Sequence, residues 1–188
     1  MPIPPLGPAG VLPEGRHQCT LDEVEEAFVD SPDFAGSATR KEIFGDFIAA
    51  LGVLRKFDAG IIERAWIGGA FASGSVDPDD LDVTFVLNEK SYLSLSNRSR
   101  LKIMRVCKDE GFKKTMKLRV DGFAFVHEMI ALPWVKAWIS DAATPYLGSR
   151  GAWDDWWSRR RVHGAKGAPP VVADAELVRG YLEVIFDG

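Results

Sequence analysis

Between Trp66 and Val86 the chain reads WIGGAFASGSVDPDDLDVTFV, and this stretch restricts the fold more than any other. An apolar run breaks at Gly68-Gly69, crosses a turn of small and acidic residues, and resumes as Asp80-Leu81-Asp82-Val83. Side chains on a strand alternate between faces, so Asp80 and Asp82 project together while Leu81 and Val83 are buried behind them. Two adjacent carboxylates repel each other unless a cation lies between them. A divalent metal, Mg²⁺ or Mn²⁺, that also contacts substrate phosphates is the usual solution. The plainer alternative is a solvated acidic turn of Asp77, Asp79 and Asp80 with Asp82 nearby by chance.

The length of 188 residues suits one domain, here residues 20–188, behind a proline-rich N-terminal arm over 1–19 with prolines at 2, 4, 5, 8 and 13. Apolar residues make up 46% and charged residues 27%, which argues against disorder. A net charge of −4 gives no global signature of nucleic-acid binding, although a local basic patch is compatible with it. Cys19 and Cys107 form neither a metal-ligand pattern nor a disulfide framework and read as reduced thiols. The start lacks a basic n-region, and no stretch is apolar enough to span a bilayer, so the expected location is the cytoplasm.

The pattern predicts a capped helix from Thr20 to about Phe28. A second capping box, Thr39-Arg40-Lys41-Glu42, opens a longer helix whose buried face is Ile43, Phe44, Phe47, Ile48, Leu51, Leu54 and Phe57. Strands are expected over 61–67 and 81–87. A helix is expected over 100–110, with Leu101, Met104 and Val106 inward and Gly111 as its stop. The basic segment 113–119 leads into a strand over 120–126, and Leu132-Pro133-Trp134 opens a short helix. A last strand covers 179–186. This order implies a small α/β (α+β) fold, a mixed sheet with flanking helices.

Gly69, the pair Asp80 and Asp82, and Asp121 in the later strand together resemble the nucleotidyltransferase (polymerase-beta-like) superfamily. Its mark is Gly-Ser, a spacer, acid-hydrophobic-acid, and a third acid on a later strand. More narrowly, residues 12–17, 69–83 and 119–121, the Trp153…Trp157 and Lys166-Gly167 pairs, and 179–184 resemble the small nucleotidyltransferase-like family designated DUF6932. The resemblance implies Mg²⁺ or Mn²⁺ held by Asp80, Asp82 and Asp121, with Asp121 also helping to deprotonate an attacking hydroxyl. An NTP would be the substrate. Phosphates would be bound around Gly68, Gly69 and Ala70, with Ser73, Ser75, Lys117 and Arg119 as further contacts. Ala70 replaces the superfamily's phosphate-binding serine, though backbone donors of such a turn do not need a side chain.

Glu128 is the rival third acid; Asp121 is preferred because it lies within an apolar run, where an unpaired carboxylate is costly. Lys113, Lys114, Lys117 and Arg119 suit either phosphate contact or a lysine-protected strand edge. Trp153, Trp156 and Trp157 beside Arg159–Arg161 suit a nucleic-acid stacking surface, or a core or interface. His17, His127 and His163 are isolated and read as structural. Two functions follow. One is nucleoside monophosphate transfer from an NTP to an acceptor hydroxyl on RNA, a protein or a small molecule, by analogy within toxin–antitoxin or defence systems. The other is a catalytically degenerate scaffold that binds nucleotide or a partner protein. Plain interaction through the proline-rich arm and the Trp-rich C-terminal region, homodimerisation included, is a further candidate role.

Overall fold

The computed structural model describes residues 2–108, 111–141, 143–163 and 168–186. Five strands form one mixed sheet: β1 (Gly15–Cys19), β2 (Ile62–Gly68), β3 (Leu81–Asn88), β4 (Val120–His127) and β5 (Gly180–Ile185), in the spatial order β1-β5-β2-β3-β4. β1 runs parallel to β5 and β3 parallel to β4, whereas β2 is antiparallel to both of its neighbours. The mixed sheet with flanking helices is the α/β architecture expected from the sequence.

Alternation along the strands sorts the core into two layers. Ala65, Ile67, Val83, Phe85, Leu87, Leu182 and Val184 pack with α1 (Leu21–Phe28) and α2 (Arg40–Arg55). Two short helices, α3 (Glu89–Ser94) and α4 (Asn97–Val106), follow β3. On the opposite face Trp66, Val86, Phe125 and Tyr181 pack with Tyr146 and Trp157 of α5 (Ala143–Trp157). Trp66 meets Phe125 edge-on at 5.4 Å between centroids, and Trp153 lies 4.3 Å from Phe123. The fully buried Glu183 sits in this second layer. It accepts hydrogen bonds from Trp66 Nε1 (3.0 Å) and Gln18 Nε2 (3.1 Å) and pairs with Arg64 and Arg16. Burial alone would raise its pKa, but these donors and guanidinium groups pull it below the ordinary glutamate value.

The α1 capping box forms as expected: Thr20 Oγ1 accepts from Glu23 N, and Thr20 N donates to Glu23 Oε2 at 2.8 Å. The second box does not. Thr39 makes no side-chain cap; its hydroxyl donates to Pro78 O, and Ser37 Oγ accepts from the Thr39 and Arg40 amides instead. The serine two residues upstream supplies the acceptor and frees Thr39 to hold the acidic turn. Ile48 is 43% exposed because it lies about 100° round the helix from the centre of the buried stripe.

Several other expectations are corrected. The helix α4 starts at Asn97 under a Ser96 cap and ends at Val106, while Asp109 and Glu110 lie outside the described residues. Met104 and Val106 are partly buried against the core as expected, with Ile103 fully buried between them, but Leu101, about 200° round the helix from Ile103, is exposed. Gly111 does not stop it, having right-handed backbone angles at the start of a π-helical turn, Phe112–Met116. The basic segment is therefore that turn, closed by Lys117 in the left-handed region (φ 60°), rather than a strand edge. Residues 132–134 open only a single 3₁₀ turn, Lys136–Trp138. The end of the proline-rich arm forms β1, which the sequence reading did not resolve because Gly15–Cys19 carries little apolar alternation.

One buried side chain ties the layers to the loop between β2 and β3. Arg40 is 1% exposed; its guanidinium donates to Phe28 O, Phe71 O, Ser73 O and Ser75 O, the last two at 2.7 and 2.6 Å, and stacks 3.7 Å from the Phe34 ring centroid. Burial lowers its pKa to about 10, with Asp77 acting in the opposite direction.

Two outcomes are expected. Arg40→Met leaves two buried and two part-buried carbonyls without this donor and lowers unfolding free energy by about 3 kcal/mol or more in chemical denaturation. A glutamate with a depressed folded-state pKa contributes stability that is present above its unfolded value and lost as pH falls through the folded one. Acid titration of stability should therefore be shallower below the ordinary value of 4.5 in Glu183→Gln than in the native protein.

Candidate functional site

The two parallel strands β3 and β4 place Asp82 directly opposite Asp121. Both side chains leave the sheet on the α5 face, because Leu81, Val83, Val120 and Gly122 alternate to the other side. Asp80, one residue before β3, shares the direction of Asp82. The register thus brings the expected third acid, Asp121, beside Asp82. Glu128, the rival third acid, lies beyond the end of β4 in a second groove with Met129 and Ile130.

Lys113, from the π-helical turn, bonds to Asp80 Oδ2 and lies 3.4 Å from Asp121 Oδ2. Burial would lower its pKa, but the two carboxylates raise it. Asp82 points elsewhere, into a cavity of about 610 Å³. Its pKa is raised to about 7, first by burial and then by Asp80 and Asp121, with Lys113 and Arg179 opposing.

The cavity lies between the β2–β3 loop and the segment after α5. Gly69, Ala70, Ser73 and Ser75 line one side; Trp156, Arg159, Arg160, Arg161 and Arg179 line the other. Gly69 has a left-handed backbone (φ 64°), and a Cβ there would overlap the Asp82 carboxylate. Gly68 has a different role: a Cβ would strike the Trp157 ring, whose Nε1 donates to Thr84 Oγ1 at 3.0 Å. Ser73 Oγ donates to Ala70 O, and Ser75 N donates to Ser73 Oγ. The buried Arg179 donates to Gly69 O and Ala72 O, so it grips the loop as Arg40 does from the other side. Burial lowers its pKa, Asp82 raises it and Arg160 lowers it. Asp174 accepts from the Val162, His163 and Val171 amides and fixes the segment after the three arginines.

Lys117 and Arg119 are not brought to the cavity. Lys117 is exposed, and Arg119 braces the acidic turn from outside through Asp79 O, Pro78 O and Glu42. Sequence reasoning missed Arg179 and Arg40, whose only signal was a charge beside an apolar run. The three histidines are partnered structurally: His17 with Pro13 O, His127 with Glu63 and His163 with Asp174. Trp153 and Trp157 belong to the second core layer, while Trp156 is 41% exposed.

Among the described residues, no three His, Cys, Asp or Glu side chains are disposed as a ready-made metal-ligand set. The donor chemistry nonetheless suits a hard divalent cation: Asp80, Asp82 and Asp121 lie at the leading ends of β3 and β4 and offer oxygen donors only. Asp80, Asp82 and Asp121 are the residues that would hold it.

The sequence profile described as "Family of unknown function (DUF6932)" matches residues 4–172, and the chain belongs to that family. The matched span stops short of Arg179 and β5, and the Lys166-Gly167 pair lies outside the described residues. No curated protein and no solved structure matches the chain.

The two glycines separate experimentally. Gly69→Ala incurs roughly 1–2 kcal/mol of backbone strain and crowds Asp82, so the midpoint of thermal unfolding is expected to fall. Gly68→Ala displaces Trp157 and is expected to shift tryptophan fluorescence.

Proposed function

We propose that this chain transfers a nucleoside monophosphate from an NTP to an acceptor hydroxyl, with Mg²⁺ or Mn²⁺ held by Asp80, Asp82 and Asp121. This reading includes membership of the nucleotidyltransferase superfamily. The observation that carries it is the position of Asp82, beside Asp121 across the parallel pair and at the inner wall of an arginine-lined cavity. The guanidinium groups of Arg159, Arg160 and Arg161 line this cavity, and planar guanidinium donors suit the oxygens of a polyphosphate. Trp156 offers a ring face to a base. The Gly69-Ala70 turn lets the phosphates approach the backbone closely. Asp121 takes the proton from the acceptor hydroxyl; that oxygen bonds to the α-phosphorus, the bond from the α-phosphorus to its bridging oxygen breaks, and pyrophosphate leaves. A bound divalent ion would lower the hydroxyl's pKa and neutralise developing negative charge. The acceptor belongs to RNA, a protein or a small molecule, in a toxin–antitoxin or defence setting. The unpaired, buried Cys19 and Cys107 support a reducing, cytoplasmic location. Among the described residues, no helix is long and apolar enough to cross a membrane.

Ala70 and the Lys113 bridge favour a second reading, a nucleotide-binding module without turnover. Incubation of α-labelled NTPs and Mn²⁺ with total RNA and with the protein itself separates the two. Transfer of label that Asp82→Asn abolishes supports the enzyme. Nucleotide binding without transfer supports the module, and transfer undiminished in Asp82→Asn overturns the site.

A further inference from the structure

The carboxylate cluster has a cation built into it, and the way that cation is held suggests a role. Phe112 is fully buried against β4 at Gly122, where any Cβ would collide with its ring. That seat fixes the π-helical turn and delivers the next residue, Lys113, to Asp80 and Asp121. Lys117, the one described non-glycine residue with a left-handed backbone, closes the turn by donating its amide to Lys113 O. The Lys113 side chain is 27% exposed, so its ammonium is drawn in from solvent rather than trailing in it.

We propose that Lys113 is an internal counter-cation that a divalent metal ion must displace from Asp80 and Asp121. The inference rests on the metal-binding reading given above. An ammonium and a divalent ion drawn to the same carboxylate oxygens compete for lone pairs and repel each other within a few ångströms, so the ion displaces Lys113 from the Oδ2 atoms of Asp80 and Asp121. Metal loading is therefore an exchange, with the lysine swinging out toward solvent as the ion settles among the three acids. The exchange leaves a cation against Asp80 and Asp121 whether or not metal is present.

Binding of Mn²⁺ alone, followed by loss of the free-ion electron paramagnetic resonance signal, tests this without reference to activity. Lys113→Gln is expected to bind Mn²⁺ roughly tenfold or more tightly than the native chain. Lys113→Arg, which keeps the charge, is expected to bind like the native chain, and Asp82→Asn to bind far more weakly. Binding by Lys113→Gln alone also supports the exchange. Equal affinity in Lys113→Gln and native protein, with Asp82→Asn weakened, overturns the role of Lys113 and leaves the metal site standing. No binding by either form, or binding that Asp82→Asn does not change, overturns both. Should Lys113→Gln fold poorly, acetic anhydride footprinting of the native protein gives a second reading. Saturating Mg²⁺ should increase acetylation at Lys113, and unchanged labelling overturns the proposal.

Discussion

Arg40 donates from inside the core to carbonyls at Phe28, Phe71, Ser73 and Ser75, and by doing so it gives shape to a loop that has little regular structure of its own. A buried guanidinium is costly to desolvate, and several well-placed acceptors are needed to offset that cost. Here they are backbone oxygens rather than a carboxylate, so the pairing transmits position instead of merely balancing charge. Asp77 receives Ser37 Oγ and Ala38 N on the same side, and Thr39 reaches Pro78 O. The start of α2 is thus a mould for the β2–β3 loop. With Arg179 gripping Gly69 O and Ala72 O from beyond, two arginines distant in sequence fix the wall of the cavity.

The sheet divides its labour between faces. One face is apolar nearly throughout and packs on α1 and α2. The other carries an aromatic layer, a buried glutamate with four polar partners, and the acids at the leading ends of β3 and β4. Trp157 joins these functions, since it closes the aromatic layer over Gly68 while the next turn of chain supplies the cavity arginines. Strength and chemistry are therefore coupled on that face.

The strand pair and the aligned acids were legible because alternation is a local signal that survives folding: Leu81, Val83, Phe85 and Leu87 mark one face, and the acids fall on the other by parity alone. The strand β1 was not, because an edge strand needs no apolar alternation when its partner's ladder supplies the order. Capping by Ser37 in place of Thr39 could not be read either, since two neighbouring hydroxyls offer the same local chemistry and only the distant Pro78 carbonyl decides between them. The basic stretch before β4 misled through its composition. Its alternating lysines resemble a guarded edge, whereas the seat of Phe112 on Gly122 winds it into a turn. Arg179 and Arg40 act through backbone oxygens brought together from several elements, a pattern that leaves no motif.

The pairing of β1 with β5 has a kinetic side. Gly15–Cys19 finds its parallel partner only at Gly180–Ile185, across most of the chain, and Gly180 N also donates to Leu12 O. Such long-range pairing closes a large loop and comes late in folding. The β2–β3 hairpin and α2 can form earlier from contacts closer in sequence. The cavity wall at Arg179 and the aromatic layer around Tyr181 must wait for β5. Asp82 and Asp121 lie earlier in the chain than Arg179, so the part of the cavity wall that this arginine holds closes only once β5 has docked.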